Sequence, residues 1–287
     1  MLTSLNCLSC FIKHSYDLVC RATDDYQLSE TIMREVLQKL SQQDLSQTPP
    51  EIVQKLHAII KRHTGKVDFF EPEKKYYNQL MLKLEPKLTN EIKSARSPFE
   101  AAARLAIAGN VIDFGVYHEL SDQQVLDSLY QAMTEEIAGN FTEFQQAVEN
   151  GSNILYIADN AGEIVADKMF INLISPDKVT LAVRGYPTLN DVTREDAEFV
   201  GLSEIVNVID NGFDAPGTVL HNCRPEFQEY FAKADLIIAK GQGNYETLSG
   251  VNQNIYFLLK AKCSAIASNI GCPVGTMILQ HASERKI

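Results

Sequence analysis

The second half of the chain alternates short apolar runs with stretches of helical spacing. Runs at 153–158, 179–184, 205–209, 235–239 and 265–269 are predicted strands, and their alternation with helical stretches implies a largely parallel sheet covered on both faces. The segment 254–261, Asn-Ile-Tyr-Phe-Leu-Leu-Lys-Ala, fits a strand or a short helix, since periodicity does not decide so short an apolar run. The first 150 or so residues differ. Apolar positions recur every three or four residues over 27–42, 50–62, 73–94 and 123–138, and Pro49-Pro50, Pro72 and Pro98 fall where helices would begin. Ala101 to Ala108 predict a small-residue helix that packs closely and ends at Gly109. The expected architecture is α/β: a doubly wound, largely parallel sheet over 151–287, preceded by a mainly helical subdomain over 1–150.

The strand ends carry the candidate chemistry. Ile154 to Ala158 run directly into Asp159-Asn160 and then Ala161-Gly162-Glu163 with a helical pattern, and in open α/β sheets ligands sit outside the carboxyl ends of strands. An acid there repels bare phosphate, so Asp159 and Asn160 suit a hard divalent cation that then holds an anionic substrate. A plain helix N-cap explains them equally well. The run 234–239 ends in Lys240-Gly241-Gln242-Gly243-Asn244-Tyr245-Glu246. Lys240 offers a point charge suited to phosphate, at a strand tip rather than inside the core, and Gly241 and Gly243 would let backbone amides approach a ligand. Neither GxGxxG nor GxxxxGK[ST] follows these strands. Arg184 ends another strand at the same sheet edge and is a substrate-side candidate. Glu163 reads as a helix-dipole acid, the Lys74-Lys75 pair as a solvated helix face, Asp196 and Asn211 as helix and turn residues, and the six histidines as structural or surface groups.

Composition narrows the class. With 26 Lys and Arg against 37 Asp and Glu, the formal charge of −11 argues against a general nucleic-acid surface. No apolar run approaches the roughly 20 residues that span a bilayer, and the first residues do not have the pattern of a signal peptide; the cytoplasm is the expected location. Six cysteines are too few for a secreted disulfide framework. Cys7 and Cys10 form a CxxC pair without a second pair or HxxxH, so two small buried hydrophobes come first, a partial metal or redox role second and a catalytic role last.

Taken together, DNAGE at 159–163, GNVIDFG at 109–115, LNDVT at 189–193 and KGQGNYE at 240–246 resemble the damage-control phosphatase family, long catalogued as domain of unknown function 89. The resemblance covers nearly the whole chain, and the CxxC looks like that of the family's prokaryotic-type branch. It implies a metal-dependent phosphatase acting on small phosphorylated metabolites such as sugar phosphates. Asp159, Asn160 and Asp191 would then hold the metal, Mg²⁺ or Mn²⁺ first and Co²⁺ or Ni²⁺ as further candidates, with Lys240 at the phosphate. Asn110 and Asp113 become candidates for substrate contact, alongside Arg184, Gly241, Gly243 and Asn244. Two other functions fit the same cleft: an S-adenosylmethionine-dependent carboxyl methyltransferase, whose glycine turn would be expected after the first strand, and a non-catalytic metabolite- or metal-binding protein. Oligomeric state is not legible.

Overall fold

The computed structural model describes residues 1–109 and 122–284. Its centre is a seven-stranded sheet in the order β1-β7-β6-β5-β2-β3-β4, formed by β1 (Ile137–Ala138), β2 (Ile154–Ile157), β3 (Val179–Val183), β4 (Asn207–Asp210), β5 (Leu236–Lys240), β6 (Ile255–Lys260) and β7 (Met277–His281). All pairings are parallel except β6 with β7. The α/β expectation holds. β2, β3 and β5 are buried at every position, as strands covered on both faces must be. Their alternate residues feed separate cores, Ile154, Tyr156, Leu181 and Ile238 on one face and Leu155, Ile157, Ala182 and Ile237 on the other.

Strand order reverses between β2 and β5. From β2 the chain crosses to β3 and β4 on one side, whereas β5 leads to β6 and β7 on the other. Such a switch point leaves a crevice at the carboxyl ends of the two central strands. Asp159 and Gly241 stand at those ends.

Helices α1 (Asn6–Ala22), α2 (Tyr26–Ser41) and α3 (Pro49–Thr64) share a small core of their own around Leu18, Ile32, Val36 and Ile60. The next two, α4 (Glu71–Ser94) and α5 (Pro98–Ala108), instead join the core of the sheet. They cover α8 (Glu163–Ile171), which follows β2. That third layer explains why α8 is buried nearly all round, with Ile164, Val165, Ala166, Met169 and Phe170 among its covered residues. The remaining helices are α6 (Asp122–Thr134), α7 (Phe141–Asn150), α9 (Arg194–Phe199), α10 (Pro225–Lys233), α11 (Gly241–Leu248) and α12 (Ser264–Ile270).

Two expected elements are corrected. Residues 265–269 lie in α12, which ends at Gly271 with a left-handed φ of 85°; the strand is β6, inside the undecided segment 254–261. The helix expected to run to 138 stops at Thr134, and Ile137–Ala138 become the edge strand β1 beside β7. Both errors arise where apolar runs are short and tertiary pairing decides the conformation.

Candidate functional site

Beyond β2 the backbone stays extended and pairs with the loop that follows β3. Asp159 O accepts from Val192 N at 2.9 Å and Asn190 O accepts from Ala161 N at 2.9 Å, while Asn160 and Asp191 form an antiparallel bridge. A turn closed by Asp191 N to Thr188 O at 3.0 Å, with Leu189 at a φ of 47°, presents Asp191 to Asp159. A non-glycine residue at positive φ is strained and persists where its surroundings hold it.

Arg184 binds the two acids together. Its Nε donates to Asp191 Oδ2 at 2.6 Å and its Nη1 to Thr218 Oγ1 at 3.3 Å. Nη2 is buried, has no hydrogen-bond partner among the described residues and stands 3.8 Å from Asp159 Oδ1. Burial pushes the Asp191 carboxyl above its ordinary range; Arg184 opposes the shift and the charge of Asp159 adds to it. Two carboxylates against one guanidinium leave excess negative charge, and the orphaned N–H is a donor awaiting an anion.

Asn160 completes the group. Its Nδ2 donates to Asp159 Oδ2 at 2.7 Å and to Glu163 Oε2 at 3.1 Å, so acceptors on both sides set the amide orientation. Among the described residues no three His, Cys, Asp or Glu side chains form a metal-holding group; the convergent set is two carboxylates and one amide. Hard oxygen donors of this kind suit a divalent cation.

The lysine expectation is corrected. Lys240 is fully buried, and its Nζ donates to Ala106 O at 2.7 Å, Glu163 Oε1 at 2.7 Å and Asp167 Oδ1 at 2.6 Å. All three ammonium donors are engaged. Burial works against its charge, yet Asp167 and Glu163 prevail and raise its pKa. Glu163 in turn is no surface helix acid: it is buried, and burial lifts its carboxyl against the pull of Lys240. The side chain of Lys240 therefore lies on the α8 face of the sheet, against Glu163 and Asp167.

Gly241, Gly243 and Asn244 are held by close internal contacts. Gly241 has φ +78°, and a Cβ there would overlap the Asp159 carboxylate; at Gly243 a Cβ would strike Pro216 O. Both close approaches are made by this chain's own atoms. Asn244 is fully buried and clamps the two central strand ends, donating to Ala158 O at 3.1 Å and Lys240 O at 2.7 Å while accepting from Thr218 Oγ1 at 2.8 Å. Asn110 and Asp113 lie outside the described residues.

Several supporting residues escaped the sequence reading. Asn78 on α4 accepts from Gly162 N at 2.6 Å and donates to Asp196 Oδ1 at 3.1 Å, fixing the turn after Asn160. Lys74, expected on a solvated face, is buried between Asp68 at 2.9 Å and Asp196 at 3.1 Å. Asp167 was legible in retrospect: two acids four residues apart on an otherwise apolar helix need a buried cation.

The crevice opens into a cleft of about 340 Å³ whose lining includes Asp159, Asn160 and Asp191 together with residues of α1 and α3. Residues 3–278 match the model of the damage-control phosphatase ARMT1-like domain. The chain belongs to that family. Its curated relatives include a protein named damage-control phosphatase PH1575 from Pyrococcus horikoshii, 35% identical over 97% of each chain, and a damage-control phosphatase of Archaeoglobus fulgidus, 32% identical over 95% of this chain and 96% of the relative. The crystal structure of the P. horikoshii family protein superposes with a TM-score of 0.88, covering 98% of this chain and 99% of that one at 32% identity. Among the described residues no helix is long and apolar enough to cross a membrane.

Proposed function

We propose that this member of the damage-control phosphatase family is a metal-dependent phosphomonoesterase of small phosphorylated metabolites, working at the switch-point crevice. The observation that carries the reading is the pairing of Asp159 and Asp191 around Arg184, whose Nη2 has no hydrogen-bond partner among the described residues. Acids for a cation and a donor for an anion meet at one point, as phosphoryl transfer requires. Asp159, Asp191 and Asn160 Oδ1 would hold the cation, which supplies Lewis-acid activation of the phosphoryl group when bound.

The chain's own groups do the rest. Arg184 Nη2 donates to a phosphoryl oxygen and offsets charge in the transition state. Asn160 is kept in one amide orientation by Glu163, and Glu163 by Lys240, so the lysine is a positioning residue acting through two hydrogen bonds. The relatives named damage-control phosphatases support this activity.

The test is phosphate release from a panel of phosphorylated metabolites after exhaustive chelation, with single divalent ions added back. Release should vanish on chelation and return with Mg²⁺, Mn²⁺, Co²⁺ or Ni²⁺. Full release by demonstrably metal-free protein would reject the mechanism.

A further inference from the structure

Thr218 stands where the guanidinium of Arg184 meets the ends of the two central strands. The loop that carries it is docked on α11 by its backbone: Thr218 N donates to Thr247 Oγ1 at 3.0 Å, and a Cβ on Gly217 would strike Gly243 O. Backbone contacts thus set the place of residue 218. Its side chain is fully buried, and the hydroxyl has polar partners on both sides, Asn244 Oδ1 at 2.8 Å and Arg184 Nη1 at 3.3 Å.

The direction of this hydrogen-bond chain is forced. Asn244 Nδ2 donates to two carbonyls, Ala158 O at 3.1 Å and Lys240 O at 2.7 Å, so the amide oxygen is the side that faces Thr218. An amide oxygen only accepts, and a hydroxyl has one hydrogen. That hydrogen is committed to Asn244, and the hydroxyl offers Arg184 a lone pair, which Nη1 needs. Asp191 Oδ2 holds Arg184 Nε at 2.6 Å. Because the guanidinium is planar, bonds at Nε and Nη1 together fix its plane, and with it the direction in which Nη2 points. In that setting Nη2 stands 3.8 Å from Asp159 Oδ1.

From this chain of contacts we infer that Thr218 is a positioning residue: its hydroxyl, oriented by Asn244, sets the angle of the Arg184 guanidinium and so presents Nη2 to the phosphoryl group. The inference deepens the proposed function and rests on it only for what Nη2 meets. Asn244 serves both sides of the crevice, since Ala158, whose carbonyl it holds, directly precedes Asp159. Valine at 218 keeps the shape of threonine but takes the partner from both Arg184 Nη1 and the Asn244 oxygen, and buried polar groups that lose a partner are costly. Serine keeps both bonds.

Thr218→Val and Thr218→Ser separate this role from simple packing. In a phosphate-release assay with Mg²⁺ or Mn²⁺, kcat per folded molecule should fall on the order of tenfold to a hundredfold in Thr218→Val and stay within about threefold of wild type in Thr218→Ser. A purely structural threonine would lower the melting temperature of the variants and leave kcat per folded molecule unchanged, and that result overturns the inference. A second measurement needs no turnover. In protein labelled with ¹⁵N-arginine, with Arg184 assigned by its loss in Arg184→Lys, Nη1 and Nη2 should give separate resonances in wild type and in Thr218→Ser. In Thr218→Val they should merge through rotation about the Nε–Cζ bond. Separate resonances in Thr218→Val, or merged ones in wild type, overturn the inference. The expected resonances without phosphate release from any ester by wild type uphold the positioning of Arg184 by Thr218 and remove the phosphatase reading instead.

Discussion

The carboxylate of Asp159 occupies the space that a side chain on residue 241 would fill. Gly241 opens α11 with φ +78°, and a Cβ built on it would overlap Asp159 Oδ2. The two central strands thus meet at an acid seated directly on a glycine. The tip of β5 shapes the end of β2 by what it lacks.

Gly241→Ala should therefore displace Asp159 from Asn160 and Arg184. We expect a loss of phosphate release on the order of a hundredfold, in keeping with a misplaced reacting group, and destabilisation of about 1–3 kcal/mol from alanine at positive φ. Steady-state kinetics with a denaturant titration checks both. Turnover within twofold of wild type would show that Asp159 tolerates the shift.

Lys240→Met should act chiefly on stability. It leaves Glu163 and Asp167 buried without their ammonium, and breaking one partner of a buried ion group costs about 3–5 kcal/mol. The deficit should widen as pH rises, because both carboxyls hold protons in the folded state at pH values where the unfolded chain has released them. Urea unfolding at pH 5 and pH 8 measures this. A variant as stable as wild type at both would contradict the buried network.

Sequence and structure part company over this lysine for a physical reason. Its position at the end of an apolar strand is legible, and so are the acids at 159 and 191. Which face of the sheet the side chain takes depends on strand register and on α8 lying beneath, and no local pattern records either. Arg184 was readable as a neighbour of Asp159 because parallel strands align their ends. Lys74 was not, since a buried lysine and a solvated one look alike until Asp68 and Asp196 arrive from elsewhere in the chain. The α/β pattern was clear where strands are long and buried on both faces. It failed at β1 and α12, whose few residues take their conformation from neighbours.

Glu246 gives a pH signature. Burial raises its carboxyl from 4.5 to about 7, so between those values the folded protein keeps a proton that the unfolded chain has lost. Stability from this group is then full below about pH 4.5 and declines as pH rises to about 7, by up to about 3 kcal/mol. Glu246→Gln should remove that decline and be the more stable protein at pH 8. Thermal unfolding from pH 4 to 8 compares the two; parallel curves would contradict the raised carboxyl.

The account stands most directly on the acid pair. Phosphate release should be measured for wild type, Asp159→Asn and Asp191→Asn, each confirmed folded by thermal melting, against a phosphomonoester panel with saturating Mg²⁺ or Mn²⁺. The account predicts release by wild type from at least one monoester and a loss of a hundredfold or more in both variants. Variants that retain wild-type release would contradict it.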